Sequence, residues 1–307
     1  MQTLSRKDIL LLVMLTLFWG FNWPVMKFGV TDLPPVTFRA LCILCSLPVM
    51  WFVATRMNDS IAISKAQIMP LIRLSLPNVL LCQILMITGV KMLSSGRAAI
   101  LTYTMPVWAF IFACIIFRER PNRTTLLGII CAAAAAFLLL SGEFSALSGQ
   151  AMGIAIVLGA AAFWGFGTVQ LKHRQIPLPT SSLTFWMFLF GVTGMAAYAF
   201  MFEYSGWRLP RSWEWGAIFY NAVFVFGMGS IIWNNMARTL PPTASSLSTM
   251  MVPVVGVFSG SFFLSETPGW QDFLAILLIM VSIGTVLLRP GKAKKQDSSE
   301  RLQKQSD

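Results

Sequence analysis

From about residue 8 to about residue 289 the chain is a succession of apolar runs, each roughly 18–25 residues long and separated by short polar connections. A run of that length crosses a hydrocarbon core of about 30 Å as a helix. With no water at depth, backbone polar groups must be satisfied within the chain, which leaves helices or a closed barrel. Barrel strands would alternate apolar and polar residues over windows of about ten, and that pattern is missing. The chain therefore reads as an all-α polytopic membrane protein. Charged residues make up 11% of it, against about 25% in soluble domains.

Charged, Pro and Gly clusters divide it into ten spans, at about 8–29, 34–55, 67–92, 97–117, 123–141, 151–172, 180–203, 213–238, 243–264 and 270–289. Arg6 and Lys7 before the first run suggest a signal peptide, but the run continues to about Gly29 with no small-residue cleavage site, so a retained helix is expected. If the N-terminus is cytoplasmic, 17 of the 23 Lys and Arg residues fall on that side, which predicts both termini inside. The net charge of +11 then reflects topology signals near anionic lipid, with no nucleic-acid partner. The five cysteines lie within apolar segments and read as packing residues, including the Cys42/Cys45 pair. No metal or cofactor is expected.

One phrase is written twice. FWGFNWPVMK occupies 18–27 and FWGFGTVQLK occupies 163–172, with five of ten positions identical. Likewise Thr102, Pro106, Glu119 and Pro121 correspond to Thr249, Pro253, Glu266 and Pro268 at an offset of 147. The chain divides into a five-helix repeat at 1–145, a second at 146–290 and a polar, disordered basic cytoplasmic tail at 291–307. An offset of five spans, an odd number, turns the second copy upside down. Two inverted halves around a central cavity can open a shared site to each side in turn.

Trp19, Trp108 and Trp164 fall near the midpoints of their spans, away from the interfacial belts where Trp51, Trp207, Trp213, Trp215 and Trp270 are expected. Asn22 and Trp23 follow Trp19, and Thr168 follows Trp164, on the same helical stripe. Such a stripe either packs or lines a wet cavity. Gln83, Thr102, Tyr103, Asn234, Asn235, Ser248 and Thr249 are polar groups at depth, which take part in interhelical hydrogen bonds or in substrate contact. A stacking surface with amides and hydroxyls suits an amphipathic zwitterion, its ammonium over a π-face and its carboxylate on an amide or hydroxyl. Pro106 and Pro253 are expected to kink their spans symmetrically and act as hinges. Lys27, Arg39 and Glu266 at outer span ends, and Glu119 at an inner one, are candidate gate charges, although end pairing explains them as well.

All twelve acids lie in loops or at span ends, and the single histidine, His173, is at the exit of span 6. Proton relays use buried carboxylates, so facilitative export or exchange is expected rather than tight proton coupling. Paired acids or a Ser-His pair for an enzyme are missing.

The W-G pair in span 1, Arg39 early in span 2, the mid-span Pro106 and the terminal Glu119, with their second copies, resemble the EamA-type drug/metabolite transporter superfamily over about 5–290. The resemblance implies a ten-helix exporter of the bacterial inner membrane with a cavity lined by spans 1, 3, 4, 6, 8 and 9. Within it the aromatic density is similar to exporters of aromatic amino acids, the alternative cargo being drugs or other metabolites carried by proton coupling. Thr184 stands opposite Arg39, so a gate built on that arginine is one-sided. Two repeats in one chain complete a transport unit, and a monomer in the bilayer is expected.

Overall fold

The computed structural model describes residues 6–118, 123–146, 150–173, 176–233 and 242–287, and all regular elements among them are helical. They are α1 (Arg6–Gly29), α2 (Pro35–Arg56), α3 (Lys65–Met92), α4 (Ser95–Thr102 and Met105–Phe117), α5 (Arg123–Ala146), α6 (Ala151–His173), α7 (Thr180–Phe202), α8 (Ser212–Trp233), α9 (Pro242–Leu264) and α10 (Trp270–Leu287). Among the described residues, seven runs are long and apolar enough to cross a membrane, and Leu126–Leu139, Met251–Leu264 and Trp270–Ser282 are shorter apolar helices. The protein is a multi-pass membrane protein.

The helices start where local chemistry permits. Pro35 occupies the first turn of α2, where its missing N–H removes nothing. Ser64 opens α3 with a capping box, its N–H donating to Gln67 Oε1 at 2.8 Å. Inside the helices the chain departs from the expected symmetry of its prolines. Pro106 does not kink a continuous α4: the helix stops at Thr102, turns through Tyr103 and Thr104, and restarts with Pro106 in its first turn. Pro253 is carried within an unbroken α9. The two prolines are therefore not equivalent kinks, because a restart absorbs the missing N–H that a helix interior cannot.

Two other features are shared between the halves. α3 widens to a π-helix at Leu76–Leu81 and α8 does so at Asn221–Gly229, positions about 145 apart like the repeated phrase. Arg118 and Ser265, which end α4 and α9, both have a left-handed φ of 54°, one residue before the repeat-related glutamates.

Packing runs between the halves. α5 lies on α10 and α2 on α7, each helix against its own repeat partner. α1 packs on α9, and α6 packs on the second piece of α4 in the corresponding way. The glycines of the repeated phrase set both crossings. A Cβ at Gly20 would lie 2.4 Å from Val255 Cγ1, and one at Gly165 would lie 2.6 Å from the Ala109 nitrogen. Neither position admits a side chain without moving a helix.

α2 and α7 also cap each other. Beyond the end of α2, Asp59 accepts from Ser181 Oγ in the first turn of α7, while Ser182 Oγ donates to the Ser60 carbonyl at 2.6 Å. At the end of α7, Glu203 accepts from the Val36 and Thr37 N–H groups at 3.0 and 2.6 Å and from Thr37 Oγ1 at 2.7 Å. Each helix begins where the other ends, so the pair is antiparallel. Carboxylates here complement the positive helix N-termini.

Candidate functional site

A cavity of about 800 Å³ lies among α1, α2, α3, α4, α6, α7 and α8. Its volume is within the range of about 300–1,000 Å³ typical of small-molecule sites. Eight of the expected residues line it: Trp19, Asn22, Trp23, Gln83, Thr102, Tyr103, Trp164 and Thr168. Trp108 does not. It lies one turn from Phe112, ring centroids 6.5 Å apart, because α4 is pressed against Gly165 and the helix face carrying Trp108 is used for that contact. Asn234 and Glu119 lie outside the described residues, as does the side chain of Thr249.

The repeated tryptophans meet across the cavity. Trp19 sits edge to face on Trp164 with centroids 6.2 Å apart, and its other neighbour is Trp233 at 5.7 Å. Its Nε1 points to the Val225 carbonyl at 3.5 Å, within the widened turn of α8. Thr168 donates back to the Trp164 carbonyl at 2.8 Å.

Sequence reasoning missed the residues that the π segments supply. Asn78 and Val79 come from α3, and Val225 and Phe226 from α8. A π turn closes i→i+5 hydrogen bonds in place of i→i+4, so a wheel of constant 3.6-residue pitch does not describe the facing within Leu76–Leu81 or Asn221–Gly229. Asn78 donates to the Leu74 carbonyl at 2.9 Å, and a Cβ at Gly167 would fall on its amide. Pro77 inside α3 is the sequence signal that could have located the irregularity.

The gate residues separate into two places. Arg39 is not with Lys27 and Glu266. It is buried to 1% exposure and lines the cavity. Its Nη1 donates to Asn221 Oδ1 at 3.0 Å, its Nη2 faces the sulfurs of Met26 and Met86, and its Cζ stands 5.0 Å from the Phe226 ring centroid. Its repeat counterpart Thr184 lines the same cavity. Lys27 instead donates to the carbonyls of Val90, Lys91 and Leu93 at 3.1, 2.9 and 2.7 Å, closing the end of α3. Glu266 accepts from the Ser95 N–H and Oγ at 2.7 and 2.9 Å and from the Gly96 N–H at 3.3 Å, opening α4. A cation at a helix C-terminus and an anion at the next N-terminus both match the macrodipoles. Lys27 and Glu266 together grip the α3–α4 connection, whereas the arginine points into the cavity.

At the end marked by the α6–α7 connection the cavity reaches Leu171, Ile176, Pro177 and Thr180. Four buried side-chain atoms of lining residues have no hydrogen-bond partner: Asn22 Oδ1, Gln83 Oε1, Thr102 Oγ1 and Arg39 Nε. Buried polar atoms are normally paired, so the cavity carries unmet polar capacity of both signs.

Cross-packed halves around an aromatic and polar cavity within apolar helices define a membrane transporter. The profile of the EamA-like transporter family matches residues 6–141 and again 151–288, and the chain belongs to that family. The Bacillus subtilis protein YoaV, an uncharacterised transporter, is 25% identical over 90% of this chain and 95% of its own length. An Escherichia coli K12 protein named "Probable amino-acid metabolite efflux pump" is 23% identical over 91% of this chain and 94% of its own. One solved protein structure superposes with a TM-score of 0.68 at 16% identity, covering 94% of this chain and all of the other, a likeness of fold.

Proposed function

We propose that the protein exports small amphipathic metabolites, amino acids first among them, across a bacterial inner membrane by alternating access. The reading takes the chain as ten spans in two five-helix units of inverted topology, with both termini cytoplasmic. Reciprocal capping of α2 and α7 supports the inversion, because two repeat-related helices that cap each other's starts run in opposite directions. With the N-terminus inside, the α6–α7 connection that the cavity reaches faces the cytoplasm, and the Lys27–Glu266 end faces outward.

The observation that carries the reading is the cavity itself: two repeat-related tryptophans and a set of unmet polar atoms in a volume of about 800 Å³. The Escherichia coli relative named "Probable amino-acid metabolite efflux pump" supports the same cargo. A buried arginine in the lining repels cationic drugs, which favours amino acids over the multidrug alternative. The test is flux of labelled phenylalanine, threonine and a cationic dye into proteoliposomes. Saturable amino-acid flux without dye flux is expected. Dye transport without amino-acid transport would replace the cargo.

A further inference from the structure

Arg39 raises a question of charge balance. A guanidinium carries five N–H donors in a fixed fork and stays ionised. Here one donor reaches a strong acceptor, Asn221 Oδ1, and others face two thioethers, which are weak acceptors. Nε has no partner. Among the described residues no carboxylate forms an ion pair with it, the pairs present being Arg97–Asp272, Arg208–Glu214 and Arg211–Asp32. A cation buried within a membrane-spanning helix is costly unless an anion or a dense set of acceptors answers it.

The surroundings keep the fork fixed in place while leaving its charge unanswered. Asn221 Nδ2 donates to the Ala217 carbonyl at 3.0 Å, which fixes that amide with its oxygen toward Arg39. Phe226 covers the guanidinium at 5.0 Å. Both residues belong to the widened segment of α8, so the π turn that sequence reasoning missed is what supplies the arginine's support.

We infer that Arg39 is the carboxylate-binding residue of the transport cavity, so that the transported solute is a carboxylic acid whose anion completes this arginine's coordination. The assignment rests on the cavity being the transport site. The other unmet atoms fit the second pole of an amino acid. Asn22 lies four residues before Met26 on α1, and Gln83 three residues before Met86 on α3, and both methionines face Arg39. Helical rise places the two amides about 4.5–6 Å along their helices from the guanidinium contacts, a reach suited to the ammonium beside a carboxylate. Asn22 Oδ1 and Gln83 Oε1 are unpaired acceptors, and an ammonium has donors alone. This reverses the polarity expected from sequence, which assigns the carboxylate to amides and hydroxyls.

The experiment measures binding of L-phenylalanine, L-phenylalaninamide and phenylacetate to the purified full-length protein in detergent, for wild type, Arg39→Gln and Arg39→Lys. Wild type is expected to prefer L-phenylalanine over its amide by about tenfold or more, the scale of a charged hydrogen-bonded pair. Arg39→Gln is expected to lower L-phenylalanine affinity by about ten- to a hundredfold while leaving the amide within about threefold, with Arg39→Lys between. Equal wild-type affinity for acid and amide overturns the assignment without any variant, so a misfolded Arg39→Gln does not shield it. Parallel loss of both probes in a folded Arg39→Gln also overturns it, as does absence of saturable binding by every carboxylate. Arg39-dependent phenylacetate binding with no phenylalanine flux leaves the carboxylate assignment standing and removes the amino-acid reading. Phenylalanine flux with no preference for acid over amide does the reverse.

Discussion

The indole rings of Trp19 and Trp164 meet edge to face at 64°, their centroids 6.2 Å apart. These are the two tryptophans of the duplicated phrase, so each half of the chain places one wall of the same aromatic surface. Such pairs are worth about 0.5–1.5 kcal/mol beyond area burial, and about 1.4 kcal/mol is tenfold in affinity. Trp19→Ala removes the contacts to both Trp164 and Trp233. It is expected to raise the KM for phenylalanine about tenfold and that for threonine less than threefold. Initial rates in proteoliposomes check this, and an equal change for both solutes would assign the ring to packing rather than to recognition.

Gly229 sets where that ring stands. A Cβ there would lie 2.8 Å from Trp19 Nε1 and 2.9 Å from the Phe224 carbonyl, below the distance real side chains tolerate. Gly229→Val is expected to displace the indole and cut phenylalanine flux by about tenfold, while the protein remains folded by circular dichroism. Quenching of tryptophan fluorescence by added phenylalanine should weaken in parallel. Wild-type flux in this variant would show that Trp19 has freedom the structure denies it.

Legibility in the sequence divides between periodic features and features that need a tertiary partner. Apolar runs mark the helices, and their starts fall within two residues of expectation. The duplicated Trp-Gly phrase points to two walls of one cavity, and Trp19, Asn22, Trp164 and Thr168 line it. The partners of Arg39 are a different matter, since nothing near it in the chain announces Asn221, 182 residues away. The π segments escape detection because a wheel of constant pitch cannot register an inserted step. Trp108 is expected in the cavity from its depth in the span alone, and depth does not say which face a ring occupies; its face of α4 packs on Gly165.

The reciprocal capping of α2 and α7 can be weighed directly. Glu203 satisfies two backbone N–H groups and a hydroxyl at the start of α2, and Asp59 accepts one hydroxyl at the start of α7. Loss of a helix N-cap costs about 0.5–2 kcal/mol. Glu203→Ala is therefore expected to lower stability by about 2 kcal/mol and Asp59→Ala by about 1 kcal/mol. A 22-residue helix is about 33 Å long, which separates the two caps far enough for their effects to add. Thermal unfolding of the singles and the double variant in detergent tests this. A double variant no worse than Glu203→Ala would mean that Asp59 bears no load.

The last expectation concerns driving force. The described cavity lining consists of aromatic, aliphatic, amide, hydroxyl and thioether side chains with Arg39 as its charge. None of these types has an ordinary pKa between about 5 and 8, so a proton has no lining group to ride near neutral pH. The steady-state distribution of phenylalanine across proteoliposomes is therefore expected to stay the same, within about twofold, whether the two sides share one pH or differ by one unit. One-for-one proton exchange would instead shift that ratio by about tenfold per pH unit, the equivalent of about 1.4 kcal/mol. Preloading the lumen with unlabelled threonine should accelerate labelled phenylalanine entry if the carrier returns faster when occupied. A tenfold pH-driven shift would place a proton carrier on the pathway, and Glu119 and His173, which stand outside the described side chains, would be the first residues to substitute.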